Sequence, residues 1–163
     1  MEKGINEYIL GKFGMQRADI RSYSPLVLAY IGDAIYDLVI RTMMVGRGNT
    51  HVNFIHKRTA QLVKAHAQSE LAEALLPDLT EEELSVYKRG RNAKSFTMAK
   101  NATVADYRRA TGFEALVGYL YLKDETERMM ELILRGLKKT GICKNRPEAL
   151  QSAAGTRERK KQS

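Results

Sequence analysis

The segment over 24–45 constrains the fold most, because it is long and almost entirely apolar or small. Ser24 followed by Pro25 is typical of an N-cap with proline in the first helical turn. The stretch LVLAYIGDAIYDLVI follows, and a glycine-rich turn comes after it. These features predict a long apolar helix whose central stretch is interrupted by two acids, Asp33 and Asp37, four residues apart on one face.

The rest of the chain, up to about residue 140, follows a helical pattern as well. Period-two alternation of Val, Ile and Thr is rare, and the hairpin pairs Asn-Gly and Asp-Gly do not occur. We therefore expect an all-α protein of six or seven helices, with one domain over 1–145 and a basic, flexible tail over 146–163. After the first helix, we predict a helical region over 50–77 and a short helix over 80–88 that a capping box of Thr80 and Glu83 opens. An irregular basic loop over 89–101 follows, and then a helix start at Thr103 and Asp106. The last two segments are an apolar helix over 111–122 and a helix over 125–139 capped by Asp124.

Composition excludes several classes of protein. A chain of 163 residues with 44% hydrophobic and 28% charged residues is compatible with one globular domain and not with wholesale disorder. Its apolar runs are too short for a membrane span, and the N-terminus lacks a signal-peptide pattern. One cysteine excludes an intramolecular disulfide framework. We expect a soluble, cytoplasmic protein that does not associate with a membrane.

The basic residues are unevenly distributed. The net charge is +8, yet residues 1–134 contribute only +1 and residues 135–163 contribute +7. Within the nearly neutral body, residues 88–109 carry seven basic residues and one acid. A polyanion such as a nucleic acid is a fitting partner for these clusters. The alternative for the tail is a solubilising end, and the alternative for the internal cluster is a solvated surface loop.

Three acids stand inside apolar helices, and each has a structural alternative. Asp33 or Asp37 could pair with a nearby Arg or Lys or face solvent, and Glu114 could form a capping box with Thr111. Taken together, acids on two apolar helices can oppose each other across the packing seam. Like carboxylates repel unless a cation lies between them, and hard divalent cations such as Mg²⁺ prefer oxygen ligands. A basic surface beside an acidic metal pocket therefore favours a nuclease.

Three blocks in the same order resemble those of Mini-ribonuclease III, the bacterial subfamily that consists of the ribonuclease III catalytic domain without a double-stranded-RNA-binding domain. The blocks are LAYIGDAIYD over 28–37, RGRNAKS over 89–95 and TGFEALVGYLYL over 111–122. The resemblance extends over roughly 22–140. It implies a ribonuclease III endonuclease-like helical bundle that acts as a homodimer on both strands of an RNA duplex.

The resemblance assigns the catalytic and metal-binding positions to Asp33 and Glu114. It implies Mg²⁺ as the cofactor with Mn²⁺ as a substitute, products with 5′-phosphate and 3′-hydroxyl ends, and the 23S ribosomal RNA precursor as substrate. The further acids of full-length ribonuclease III fall here on residues that are not carboxylates, which are Leu26, Ala29 and Thr111. The remaining ligands therefore stay open, and Asp37 could contribute through water.

The basic loop is the predicted RNA-binding surface. An A-form duplex is recognised mainly by its shape, through phosphate and 2′-hydroxyl contacts. Six residues suit that role, namely Lys88, Arg89, Arg91, Asn92, Lys94 and Lys100. Without a separate duplex-binding domain, binding should be modest and strongly salt-dependent.

Two other functions remain open at this point. The first is a non-catalytic RNA-binding or ribosome-assembly module on the same fold, although Asp33 and Glu114 are both present. The second is a helix-turn-helix DNA-binding protein, whose recognition helix should expose base-reading polar residues. The helices beside the basic loop are instead strongly apolar over 111–122 or acidic at the start over 80–83.

Overall fold

The computed structural model describes residues 4–94 and 103–142, and every regular element in those ranges is helical. The α-helices are α1 Ile5–Lys12, α2 Pro25–Gly46, α3 Val52–Val63, α4 Ala65–Leu75, α5 Glu81–Asn92, α6 Val104–Leu122 and α7 Thr126–Thr140, with 3₁₀ turns at Ile20–Ser22 and Leu76–Asp78. The all-α prediction is confirmed. The predicted tail over 146–163 lies outside the described residues. In the described ranges, no helix combines the length and apolarity that a membrane crossing requires.

Side-chain caps start three of the helices at the predicted residues. The Ser24 hydroxyl accepts a hydrogen bond from the backbone N–H of Val27, at 3.3 Å. Thr80 and Glu83 form the reciprocal capping box. The Thr103 hydroxyl accepts from the backbone N–H of Asp106, at 3.0 Å. Each cap satisfies an N–H group that a helix start leaves unpaired.

Three predicted boundaries were wrong. The helical region over 50–77 is two helices, because the backbone of Lys64 is extended, with ψ of 154°. The basic loop does not start at residue 89, since α5 continues to Asn92. Asp124 does not cap α7; it occupies a turn with φ of 56° and pairs with Arg17 instead.

Helix α6 is the centre of the fold, with α2, α4 and α5 packed around it. Glycines on both helices allow α2 and α6 to approach each other unusually closely. A Cβ atom on Gly32 of α2 would lie 1.7 Å from the backbone oxygen of Glu114, and a Cβ on Gly118 would lie 2.0 Å from that of Leu28. Helices α2 and α6 are therefore in direct backbone contact, which side chains at these glycines would prevent.

Glycine has the same role where α5 crosses α6. A Cβ on Gly90 would lie 2.9 Å from the Cα of Gly112 and 2.8 Å from the Cβ of Ala115. Gly90 lies within the segment over 89–101 that was predicted to be an irregular loop. In the structure it is buried inside α5 and permits a close helix crossing, which explains why α5 runs further than predicted.

Candidate active site

Asp33 and Glu114 meet where α2 crosses α6. Gly32 precedes Asp33 and contacts the backbone of Glu114, so the close helix crossing brings the two acids together. Their side chains are within hydrogen-bonding contact. Asp33 is exposed, whereas Glu114 is partly buried. One carboxylate therefore faces solvent and the other lies beneath it.

No cationic side chain of the described residues neutralises the two carboxylates of the pair. Burial, and then repulsion from Asp33, raise the pKa of Glu114 to about 8. A hydrogen bond from Gln68 acts in the opposite direction and does not offset them. Among the residues that the structure describes, no cationic side chain contributes to this balance.

A third polar side chain, Gln68 of α4, lies against Glu114. It is 1% exposed, and its Nε2 donates to the backbone oxygen of Val63 at 2.9 Å. Its Oε1 is buried and has no hydrogen-bond partner among residues 4–94 and 103–142. Leaving a buried acceptor unpaired costs roughly 1–3 kcal/mol.

Sequence reasoning missed Gln68, although one signal was present. Gln68 lies between buried residues of α4, one position after Ala67 and four before Ala72. A polar residue within an apolar stretch of a helix is unusual, and Gln68 shares this feature with Asp33 and Glu114. Glutamine carries no charge, so the pattern of charges did not draw attention to it.

The other residues considered as site candidates do not join the pair. Asp37 accepts a hydrogen bond from Arg41 Nε at 2.8 Å, which is the ion-pair alternative. Thr111 lies inside α6, where its hydroxyl donates to the backbone oxygen of Tyr107, so the capping-box alternative for Glu114 is wrong.

Part of the predicted RNA-binding set lines one open groove. Lys88, Arg89 and Asn92 face a groove of about 700 Å³ between α5 and the start of α2 at Pro25. Pro25 precedes Asp33 by eight residues on α2, which corresponds to about 12 Å along the helix. The groove and the carboxylate pair therefore share helix α2, but neither Asp33 nor Glu114 lines the groove.

The other predicted RNA-binding residues are placed differently. The Arg91 guanidinium stacks over the ring of Tyr87, with 5.8 Å to the ring centroid, and its Nε donates to Asn92. Lys94 is exposed just beyond α5. Lys100 lies outside the described residues.

The donor set fits a hard divalent cation. Within residues 4–94 and 103–142, no group of three His, Cys, Asp or Glu side chains could hold a metal ion. The site instead offers two adjoining carboxylates and one unpaired amide oxygen, on Asp33, Glu114 and Gln68. Mg²⁺ and Mn²⁺ prefer such oxygen ligands, and Mg²⁺ is often held by one or two carboxylates while it keeps several waters.

Comparisons with known proteins agree with this arrangement. The family described as Ribonuclease III domain matches residues 26–125. The chain is 50% identical over 130 residues to the Mini-ribonuclease 3 of Clostridium tetani, covering 79% of this chain and 85% of that protein. It is 51% identical over 125 residues to the Mini-ribonuclease 3 of Enterococcus faecalis, covering 76% and 95%.

A solved structure shares the fold. The crystal structure of a protein from Fusobacterium nucleatum superposes with a TM-score of 0.67 at 34% identity, covering 76% of this chain and 98% of that one. An all-helical fold with this domain match is that of a ribonuclease III-type endoribonuclease. Within that class, the chain belongs to the Mini-ribonuclease III family. The resemblance seen in the sequence is thus confirmed.

Proposed function

We propose that this endoribonuclease is Mg²⁺-dependent and cleaves both strands of duplex RNA as a homodimer, with Asp33 and Glu114 as its catalytic, metal-binding residues. The observation that carries the proposal is the contact between these two acids at the α2–α6 crossing. Two adjoining carboxylates without a cationic partner are costly unless a proton or a metal ion lies between them.

The two residues of the pair share one task in the proposed mechanism. Both carboxylates would hold the cation, the exposed Asp33 on the side that faces solvent and substrate and the partly buried Glu114 on the side of the protein interior. When bound, Mg²⁺ supplies Lewis acidity that favours attack of water on phosphorus and stabilises the developing negative charge. The products carry 5′-phosphate and 3′-hydroxyl ends.

The groove beside α5, which Glu81 also lines, contacts the backbone of the duplex through its basic end. Lys88 and Arg89 supply positive charge for phosphate oxygens, and Asn92 can donate to or accept from a 2′-hydroxyl. Lys94 extends this basic surface beyond the helix. Most of the affinity then comes from charge, so it falls steeply with salt.

The exposed face of α2 supports a homodimer. Leu26, Val27 and Tyr30 are 39%, 47% and 81% exposed, and they share one side of the helix. Contiguous apolar surface of this kind marks protein interaction sites. Asp33 follows Tyr30 by three residues, so an interface on this face brings the active sites of two protomers to one cleft.

The substrate in the cell is proposed to be the 23S ribosomal RNA precursor, and the location the cytoplasm. The similarity to Mini-ribonuclease III supports both. A duplex that reproduces the precursor stem should be cut faster than an unrelated duplex of equal length.

The decisive experiment compares Asp33→Asn with Asp37→Asn. Both changes remove an aspartate from α2, but only Asp33 touches Glu114, whereas Asp37 pairs with Arg41. Asp33→Asn should lower the rate of duplex cleavage by about 1000-fold, because metal catalysis contributes several kcal/mol. Asp37→Asn should stay close to wild type, since exposed ion pairs contribute little. The measurement is cleavage of a labelled RNA duplex with Mg²⁺ and with a chelator.

Three outcomes decide between the functions. Metal-dependent cutting that is lost only in Asp33→Asn supports the proposal. Cutting that survives Asp33→Asn would show that the site lies elsewhere in the fold. Binding of RNA without cutting by wild type would favour a non-catalytic RNA-binding module.

A further inference from the structure

Gln68 is a buried polar side chain that has no part in the proposed function so far. It comes from α4, a helix that carries neither of the two acids, yet its amide reaches Glu114. The side chain is 1% exposed, so it makes no contact with bulk water that would satisfy it.

Two acceptors fix the orientation of this amide. The Nε2 group donates to the backbone oxygen of Val63 at 2.9 Å, and a hydrogen bond from the same side chain favours the charged form of Glu114. Turning the amide around would bring its oxygen against the Val63 oxygen, and two acceptors repel. The amide oxygen is therefore held in a defined position.

In that position, no donor from the described part of the chain reaches Oε1. Buried polar atoms are almost always paired in folded proteins, so an exception beside a catalytic pair requires an explanation. Carboxylate ligands are also few, since no group of three His, Cys, Asp or Glu side chains among the described residues could hold a metal ion. Amide oxygens of Gln belong to the ligands that hard cations accept.

We propose that Gln68 is a positioning residue of the cation site. Its Nε2 holds the Glu114 carboxylate in place, and its unpaired Oε1 can accept a hydrogen bond from a water molecule that the cation retains. This inference rests on the proposed metal-dependent function and names a residue that deepens it. Partners that orient metal ligands typically change metal affinity by about 10–100-fold when they are lost.

The test is a Mn²⁺ titration of the full chain without RNA, followed by electron paramagnetic resonance. Gln68→Met keeps the length of the side chain but removes both the donor and the acceptor, and it should weaken Mn²⁺ binding by about tenfold. Gln61→Met is the matched control, because Gln61 is exposed on the neighbouring helix α3. That variant should bind Mn²⁺ like wild type.

Two further readouts separate positioning from a general structural effect. The Mg²⁺ concentration for half-maximal cutting should rise by about tenfold in Gln68→Met, and saturating Mg²⁺ should restore most of the rate. Binding of duplex RNA in the presence of a chelator should not change. Circular dichroism and the melting temperature establish whether each variant is folded.

A folded Gln68→Met protein that binds Mn²⁺ like wild type would overturn the inference. If Gln68→Met does not fold, Gln68→Asn replaces it. This variant retains an amide one methylene shorter, which cannot serve both Val63 and Glu114, and it should weaken Mn²⁺ binding by at least about threefold. Unchanged binding in that variant would overturn the inference equally. If wild type itself neither binds Mn²⁺ nor cuts RNA, the proposed function fails, which is a different result.

Discussion

At the scale of single residues, a proton competes with the proposed metal ion for the Glu114 carboxylate. Burial and the neighbouring Asp33 raise the pKa of Glu114 to about 8, so the carboxyl is mostly protonated at neutral pH when no cation is bound. A cation must displace that proton before both oxygens become ligands. The proposed metal affinity is therefore coupled to pH up to about pH 8.

The predicted pH dependence has a definite sign. Mn²⁺ affinity should rise by up to about tenfold per pH unit below the pKa of Glu114 and level off above about pH 8. Titrations of the apo-protein between about pH 6 and pH 8.5 measure this slope. Glu114→Gln removes the titrating group, so its weak residual binding should depend little on pH. A flat wild-type profile would contradict the raised pKa.

The same shift affects stability in the opposite direction. The folded protein holds a proton on Glu114 that an unfolded chain, with its ordinary glutamate pKa, releases. Between the unfolded value and about pH 8, the folded state binds more protons, so the metal-free protein loses stability as pH rises. A bound cation removes this penalty because it replaces the proton.

At the scale of helices, the crossing of α2 and α6 joins the fold to the site. Gly32→Ala would place a Cβ atom 1.7 Å from the Glu114 backbone oxygen, so the two helices must separate. The expected loss in the free energy of unfolding is about 3 kcal/mol or more. Gly46→Ala is the matched control, because it lies at the end of the same helix with no atom within 4 Å of its Cβ.

Urea denaturation of the two variants checks this prediction. Gly46→Ala should be neutral or stabilise the protein by up to about 1 kcal/mol, since alanine favours the helix. Equal stabilities of Gly32→Ala and wild type would show that the helices do not touch as described. Cleavage by any folded Gly32→Ala protein should fall as well, because Asp33 moves relative to Glu114.

The helix starts could be predicted from sequence because their signals are local. The hydroxyls of Ser24, Thr80 and Thr103 each accept a hydrogen bond from the backbone N–H three residues later, so neighbouring residues contain the information. The role of Gly90 could not be read locally. Whether a glycine breaks a helix or permits a close crossing depends on the partner helix, here at Gly112. Helix α1 was also not predicted.

Sequence reasoning singled out two residues of the candidate site and missed the third. Asp33 and Glu114 stand out as charges in apolar helices, and their contact in the structure agrees with the opposed-acid hypothesis. Gln68 is neutral and comes from another helix, so its place beside Glu114 depends on how α4 packs against α6.

At the scale of the whole molecule, the proposed homodimer uses the apolar face of α2 to bring two active sites to one duplex. Tyr30 is 81% exposed on that face and lies three residues before Asp33. Tyr30→Asp places a charge where the proposed interface excludes water, which costs far more than a charge on a free surface. The expected result is a monomer.

Light scattering after size-exclusion chromatography measures this change, with wild type at twice the chain mass of 18.4 kDa and Tyr30→Asp at once that mass. Tyr8→Asp is the control, since Tyr8 is 63% exposed and lies on another helix, α1. The monomer keeps its own Asp33 and Glu114, so Mn²⁺ affinity should not change.

Cleavage of both strands should slow by at least about tenfold, because the second active site must arrive by diffusion rather than from the same complex. A dimeric Tyr30→Asp protein would place the interface on another surface, whereas a fully active monomer would show that one site can cut each strand in turn.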